Sequence, residues 1–186
     1  MALKDFSEEF CKKNKILHAV IAIYHQGTEG QKSFVNEQLA KLQECLRKET
    51  KNYDIVRVSF VYENPELDVK IAENFKNEKY YKEPYSKRSG MHRLSDIWFM
   101  SMILMEDFLN NTEQNVENRW YLITDEKFPR DQVNEMIDKR DGEIIMHPRF
   151  ANVFFEGNLI KTSAAGGGLL EEYFNKKNWN VQVVKS

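Results

Sequence analysis

The chain has 186 residues, of which 41% are hydrophobic and 30% charged, and such a chain suits one globular domain with a sizeable core. Its 27 basic and 29 acidic residues leave a net charge of −2, which excludes a whole-molecule basic field for holding nucleic acid. No apolar run is long enough to cross a bilayer, and Asp5, Glu8 and Glu9 interrupt the start of the chain where a signal peptide would have its apolar core. We therefore expect a cytoplasmic protein without a membrane segment.

The lead-in at residues 1–15 has Leu3, Phe6 and Phe10 at helical spacing, which predicts a short amphipathic helix. A single α/β domain is expected over 16–186. The two cysteines, Cys11 and Cys45, have no close partner for a metal knuckle or a redox pair, so we interpret them as reduced structural thiols.

Strands and helices are predicted to alternate from residue 16 onward. The run ILHAVIAIY at 16–24 predicts a central strand buried on both faces. A turn with two glycines follows, and the later elements are a helix at 34–48, a strand at 52–62, a short segment at 67–71, an irregular stretch at 74–90, a helix at 91–109 and a strand at 120–124. The short segment suits an edge strand, and it could equally begin a helix running to Phe75.

The last third of the chain continues the alternation. A helix is expected from Pro129 to Asp141-Gly142, followed by a short strand at 143–146. Residues 152–161 predict either a small hairpin around Glu-Gly-Asn or a strand followed by an exposed turn. A helix at 169–174 and a strand at 179–184 close the chain. Together the elements predict a doubly wound, mainly parallel sheet in a Rossmann-like three-layer α/β/α arrangement with one antiparallel edge strand.

This order of parts resembles a von Willebrand factor A-like (vWA-like) domain. The resemblance depends on the apolar first strand with its glycine-containing loop, the strand VRVSFVY before an edge strand, the loop and helix SGMHRLSDIWF, and a strand ending in Thr124-Asp125. In that family, loops at these places build a divalent-metal adhesion site. Its leading Asp falls on Tyr24 here, its two Ser positions on Gln26 and Thr28, and its loop Thr near Met91, so that only Thr28 and Asp125 could still serve. The resemblance therefore implies a degenerate site that is metal-free or binds metal weakly.

The resemblance implies that the protein binds another protein. Its recognition edge would be formed by the loops at 24–30, 86–92 and 125–128. The residues expected to bind along it are Gln26, Thr28, Glu29, Arg88, His92, Asp125 and Glu126. Cations interleaved with aromatic residues before His92 favour a protein partner, because Tyr and Arg are enriched at interface hot spots, and nucleic acid is not expected.

The rival class is a metal-dependent, hydrolase-like enzyme at the same edge. His25, His92 and Asp125 would supply two imidazoles and a carboxylate, which suit a transition metal, with Glu29 or Glu126 as a base for a bound water. The alternative, which the sequence favours because no ligand spacing is present, is that the histidines, including His18 and His147, lie near loops by chance and are solvated. No cofactor is expected beyond that divalent metal, and no catalytic residue can be assigned.

A third hypothesis is nucleotide or phosphate binding at Gly166, Gly167 and Gly168, where free backbone N–H groups before a helix could hold an anion. The stretch lacks the Lys-Ser or Lys-Thr of a P-loop, so Lys161 and Thr162 would have to supply the missing contacts.

Overall fold

A six-stranded sheet forms the centre of the protein, in the strand order β3-β2-β1-β4-β5-β6. The computed structural model describes residues 15–24, 29–49, 51–62, 69–72, 93–110, 115–124, 129–146, 155–162 and 168–184. In chain order the elements are β1 (Ile16–Tyr24), α1 (Glu29–Glu49), β2 (Ile55–Tyr62), β3 (Val69–Ala72), α2 (Leu94–Asn110), β4 (Val116–Thr124), α3 (Arg130–Met146), β5 (Phe155–Thr162), α4 (Leu169–Lys176) and β6 (Asn180–Val184). The predicted lead-in helix at 1–15 and the irregular stretch at 74–90 lie outside these residues, apart from Lys15.

Strand β1 lies in the middle of the sheet and pairs in parallel with β2 and β4. Parallel pairing continues through β5 to β6, and β3 joins antiparallel at the opposite edge of the sheet. Every residue of β1 is buried, as its unbroken apolar run predicts for a strand covered on both faces. The predicted doubly wound, mainly parallel fold class is confirmed.

Two apolar clusters lie on the two faces of the sheet. On one face, α1 places Val35, Leu39, Leu42 and Leu46 against the strands. On the other face, α2, α3 and α4 cover the sheet around Trp98, Trp120 and Phe174. Among the described residues, one face therefore carries a single helix and the other carries three.

Helix α3 corrects the prediction that a helix ends at Asp141-Gly142 and that residues 143–146 form a strand. The helix continues to Met146. A glycine inside a helix costs only about 1 kcal/mol relative to alanine, and Ile144 follows Ile137 by two helical turns, so the helical pattern outweighs the stop signal.

Strand β5 corrects the prediction of a hairpin or turn at Glu-Gly-Asn, because it runs unbroken from Phe155 to Thr162. Gly157 is needed inside the strand for a packing reason. A Cβ atom added there would lie 2.3 Å from Cδ2 of Trp179, so the indole ring occupies the space that any other side chain would fill.

Candidate functional site

The predicted recognition edge begins where β1 and β4 end side by side. Tyr24 and Thr124 are register partners at the last positions of these strands, and both are buried. Parallel neighbours are about 4.8 Å apart, so the described parts of β1 and β4 end at adjacent points. The prediction that His25 and Asp125 lie at the same edge of the sheet requires these two strands to end side by side.

The third predicted loop also ends at this side of the molecule. It precedes Arg93, whose guanidinium contacts Glu135 at 2.5 Å and Asp131 at 3.9 Å, in the first turns of α3. Helix α3 itself follows the loop after β4, so the segments before Arg93 and after Thr124 both reach the start of α3. The described residues that flank the three predicted loops therefore lie toward one edge of the sheet.

Most of the predicted binding residues themselves lie outside the described residues. These are His25, Gln26, Thr28, Arg88, His92, Asp125 and Glu126. Glu29 is the first residue of α1, and its side chain is not described. Their roles stay predictions.

Tyr24 occupies the position where the vWA resemblance places a metal-binding Asp. Its ring is only 4% exposed and belongs to the apolar cluster beneath α2 and α3. The end of β1 therefore contributes an aromatic side chain to the core where the family has a carboxylate. Within the described part of the chain, no group of three or more His, Cys, Asp or Glu side chains is arranged to hold a metal ion. The set His25, His92 and Asp125 lies outside it.

The predicted phosphate loop is described only at its last residue, Gly168, which directly precedes α4. The ammonium of Lys161, a residue that this hypothesis needed for the anion, makes an ion pair with Glu171 in the first turn of the helix. Glu172 adds a second carboxylate to that turn. Two acids near a helix N-terminus compete with a bound phosphate, while Gly166 and Gly167 lie outside the described residues.

A buried polar network crosses the centre of the sheet. The Nδ1 atom of His18 on β1 lies 2.9 Å from Oδ1 of Asn118 on β4. The Nε2 atom of the same ring lies 2.8 Å from Oγ of Ser59 on β2. The His18 side chain is 2% exposed, so the expectation that it is solvated is wrong. Burial is the main cause that lowers its pKa to about 4. The network is closed to substrate and holds a neutral imidazole between two strands.

An open groove lies on the α1 face of the sheet, between the helix and strands β4, β5 and β6. Its volume is about 330 Å³. It is lined from α1 by Gln38, Lys41, Leu42 and Cys45, from β4 by Arg119 and Tyr121, from β5 by Glu156, Asn158 and Ile160, and from β6 by Asn180 and Gln182. Four of its eleven lining residues carry amide side chains, while Leu42 and Ile160 supply apolar contact. The groove is separate from the predicted recognition edge.

A cluster of charged and phenolic groups lies at one end of this groove. Arg119 lies 2.9 Å from Glu117, 3.3 Å from Glu49 and 3.2 Å from the hydroxyl of Tyr53. Burial lowers the pKa of Arg119, but hydrogen bonds to Glu117 and Tyr121 outweigh that effect and leave the pKa above its ordinary value. Burial raises the pKa of Tyr121 to about 12, so the guanidinium is charged and the phenol neutral near pH 7.

Sequence reasoning missed both the polar network and the groove. The network had a signal, since His18, Ser59 and Asn118 are polar residues inside otherwise apolar strands. The groove had none, because its lining comes from four elements that only the strand order brings together.

The comparisons with known proteins support the fold. The crystal structure of the TFIIH p34 N-terminal domain matches with a TM-score of 0.59 at 7% sequence identity, covering 92% of this chain and 91% of that chain. No family model and no curated protein matches the sequence. The neighbour has a vWA-like fold, and the likeness supports the same three-layer α/β fold for this chain. At this identity it shows nothing about activity. Separately, the described helices include none that is long and apolar enough to span a bilayer.

Proposed function

We propose that the protein is a protein-binding module whose recognition edge is formed by the loops that follow β1 and β4 and the loop that precedes α2. The observation that carries the proposal is the convergence of these three attachment points at Tyr24, Thr124 and Arg93. Ligands of open α/β sheets collect outside the carboxyl ends of the strands, which is where the loops after β1 and β4 begin. The structural neighbour supports an interaction role, since its name places it in TFIIH.

The same proposal holds that recognition does not use the family's usual metal site. Tyr24 stands where the leading carboxylate would be, and its ring is packed in the core. A hard cation needs several oxygen ligands, commonly carboxylates, so this substitution weakens direct coordination at the edge. The partner is expected to contact side chains such as Arg88, Asp125 and Glu126 themselves.

The test is quantitative affinity capture from a lysate of the source cells, comparing the wild type with an Asp125→Ala/Glu126→Ala variant. A matched control is Glu44→Ala/Arg47→Ala, which removes an exposed charge pair from α1, away from the recognition edge. We expect a partner that the edge variant loses and the control retains, while both variants keep the wild-type melting temperature within about 2 °C. Equal capture by both variants would reject the edge as the binding surface.

A metal enzyme is the second candidate, because the adjacent strand ends bring the attachment points of His25 and Asp125 together. Elemental analysis after dialysis against zinc, manganese and magnesium separates it from the first. One metal per chain that is absent from both Asp125→Ala and His92→Ala variants would favour the enzyme. A nucleotide-binding protein would instead be protected against heat by millimolar nucleotide.

A further inference from the structure

The two faces of the sheet are unequally covered at the β5 and β6 end. On the α1 face, Ile160 and Val184 belong to a core whose described helical cover is α1 alone. The groove lies there, between α1 and the strands β4, β5 and β6. Mainly parallel sheets are normally covered on both faces, so this end of the sheet calls for a further layer.

The chain outside the described residues enters the fold next to this groove. The backbone N–H of Lys15 donates to the carboxylate of Asp54 at 2.7 Å, and the Lys15 ammonium lies 4.5 Å from the centre of the Tyr53 ring. The guanidinium of Arg119, which lines the groove, lies 5.8 Å from the centre of the same ring. Residues 1–14 therefore join the described fold within one side chain of the mouth of the groove.

We propose that residues 1–14 dock in this groove as an amphipathic helix and form the missing layer over β5 and β6. Leu3, Phe6 and Phe10 recur at helical spacing and give the segment one apolar side. A helix of that length spans about 21 Å, and a strand as long as β5 spans about 26 Å, so the segment can lie along the strand from its point of entry.

The lining of the groove fits such an occupant. Leu42 and Ile160 are buried apolar residues beside it, suited to contact with a phenylalanine ring. Gln38 is only 4% exposed, and its Nε2 is buried without a hydrogen-bond acceptor among the described residues. A docked peptide offers carbonyl and carboxylate oxygens for that amide, whereas an empty groove leaves the donor unsatisfied.

The other long stretch outside the described residues is a poorer occupant. Residues 73–92 leave from β3, at the opposite edge of the sheet from β6, and rejoin the fold at Arg93 before α2 on the other face. Residues 1–14 instead join the described fold at Lys15, next to the groove, and are long enough to cover two strands.

The two natural cysteines provide the experiment. Cys45 lines the groove and is exposed among the described residues, and Cys11 is the fourth residue before Lys15. The full-length wild type is treated at micromolar concentration with a short bis-maleimide, which adds one thiol to each of its two double bonds. Mass spectrometry of peptides then identifies a Cys11–Cys45 product.

The matched control is Cys45→Ser/Arg47→Cys, which moves the second thiol two residues along α1 to an exposed position that does not line the groove. Docking is expected to make the wild-type intramolecular cross-link at least about tenfold faster than in this control, because a fixed pair has a higher effective concentration than a freely tethered one. Phe6→Ser/Phe10→Ser should remove that difference and speed the labelling of Cys45 by a monofunctional maleimide.

Equal cross-linking rates in the wild type and the control would overturn the proposal. So would a product that forms only between chains and grows with protein concentration, since a second copy would then be the occupant. Docking would likewise be contradicted if the monofunctional maleimide labelled Cys45 no faster in Phe6→Ser/Phe10→Ser than in the wild type. These readouts are independent of the recognition edge, so Asp125→Ala/Glu126→Ala is expected to leave the cross-link unchanged even if it abolishes partner binding.

Discussion

His18 and Asn118 are register partners on β1 and β4, and the imidazole Nδ1 lies 2.9 Å from the side-chain Oδ1 of Asn118. Because Oδ1 accepts a hydrogen bond, Nδ1 carries the proton, and Nε2 accepts from the hydroxyl of Ser59 at 2.8 Å. A neutral histidine thus joins three neighbouring strands within the sheet. Protonation would bring a charge into a site that burial has removed from water.

The protein is therefore expected to lose stability as the pH falls from about 6.5 toward 4. In the native state burial lowers the pKa of His18 from 6.5 to about 4, so between these values the unfolded chain binds a proton that the folded chain does not. The loss of stability is absent above pH 6.5 and reaches on the order of 3 kcal/mol once the pH is below both pKa values. Urea unfolding of the wild type and of His18→Gln, each at pH 7.5 and at pH 5, measures this loss of unfolding free energy. Parallel losses in the two proteins would show that His18 is not the titrating group.

Replacing Arg119 with Met is expected to destabilise the fold by about 1–3 kcal/mol, because it leaves Glu117 and Glu49 without their shared cation. Arg119→Lys should remain destabilised, since a single ammonium cannot reproduce the planar fork that reaches Glu117, Glu49 and Tyr53. Arg47→Met, on the exposed side of α1, is the control and should change stability by less than about 0.5 kcal/mol. Chemical denaturation checks all three, and a lysine variant as stable as the wild type would contradict the geometric argument.

Gly157→Ala is expected to cost about 1–3 kcal/mol, because the new methyl group would overlap the indole ring of Trp179. The cost should depend on that ring. In a Trp179→Ala background the same glycine substitution should be much less destabilising, which a double-mutant cycle measures by urea unfolding. Additive effects would mean that the strain has another source.

Ser101→Ala should cost about 1–2 kcal/mol and disturb tryptophan fluorescence. The Ser101 hydroxyl donates to the carbonyl of Ile97 at 2.7 Å and accepts from the indole N–H of Trp120 at 3.1 Å, inside the apolar cluster. Without it, Trp120 Nε1 loses that buried partner. Trp120→Phe carries no such donor, so adding Ser101→Ala to it should cost less than in the wild type. Equal costs in both backgrounds would exclude the indole contact as the reason.

The course of the chain was largely readable from local pattern. ILHAVIAIY predicted β1 with the bounds Ile16–Tyr24, and the apolar stripe before Asn110 predicted α2 to within three residues at its start. These elements are long and strongly periodic, so burial and local preference agree. Local signals failed at Gly142 and Gly157, where glycine is a turn residue by preference but neighbouring structure keeps it in a helix and a strand.

The sequence by itself determined that strands and helices alternate in a doubly wound sheet, because hydrophobic periodicity and right-handed crossover connections leave few other arrangements. Only the tertiary structure decided which distant residues meet. His18 reaches Ser59 and Asn118 because β1 lies between β2 and β4. The groove exists because the strand order places β4, β5 and β6 beside one another next to α1, and the ends of β1 and β4 lie side by side because Tyr24 and Thr124 are register partners. Strand order and register set these contacts, and they depend on packing across the whole sheet, which no local window of sequence contains.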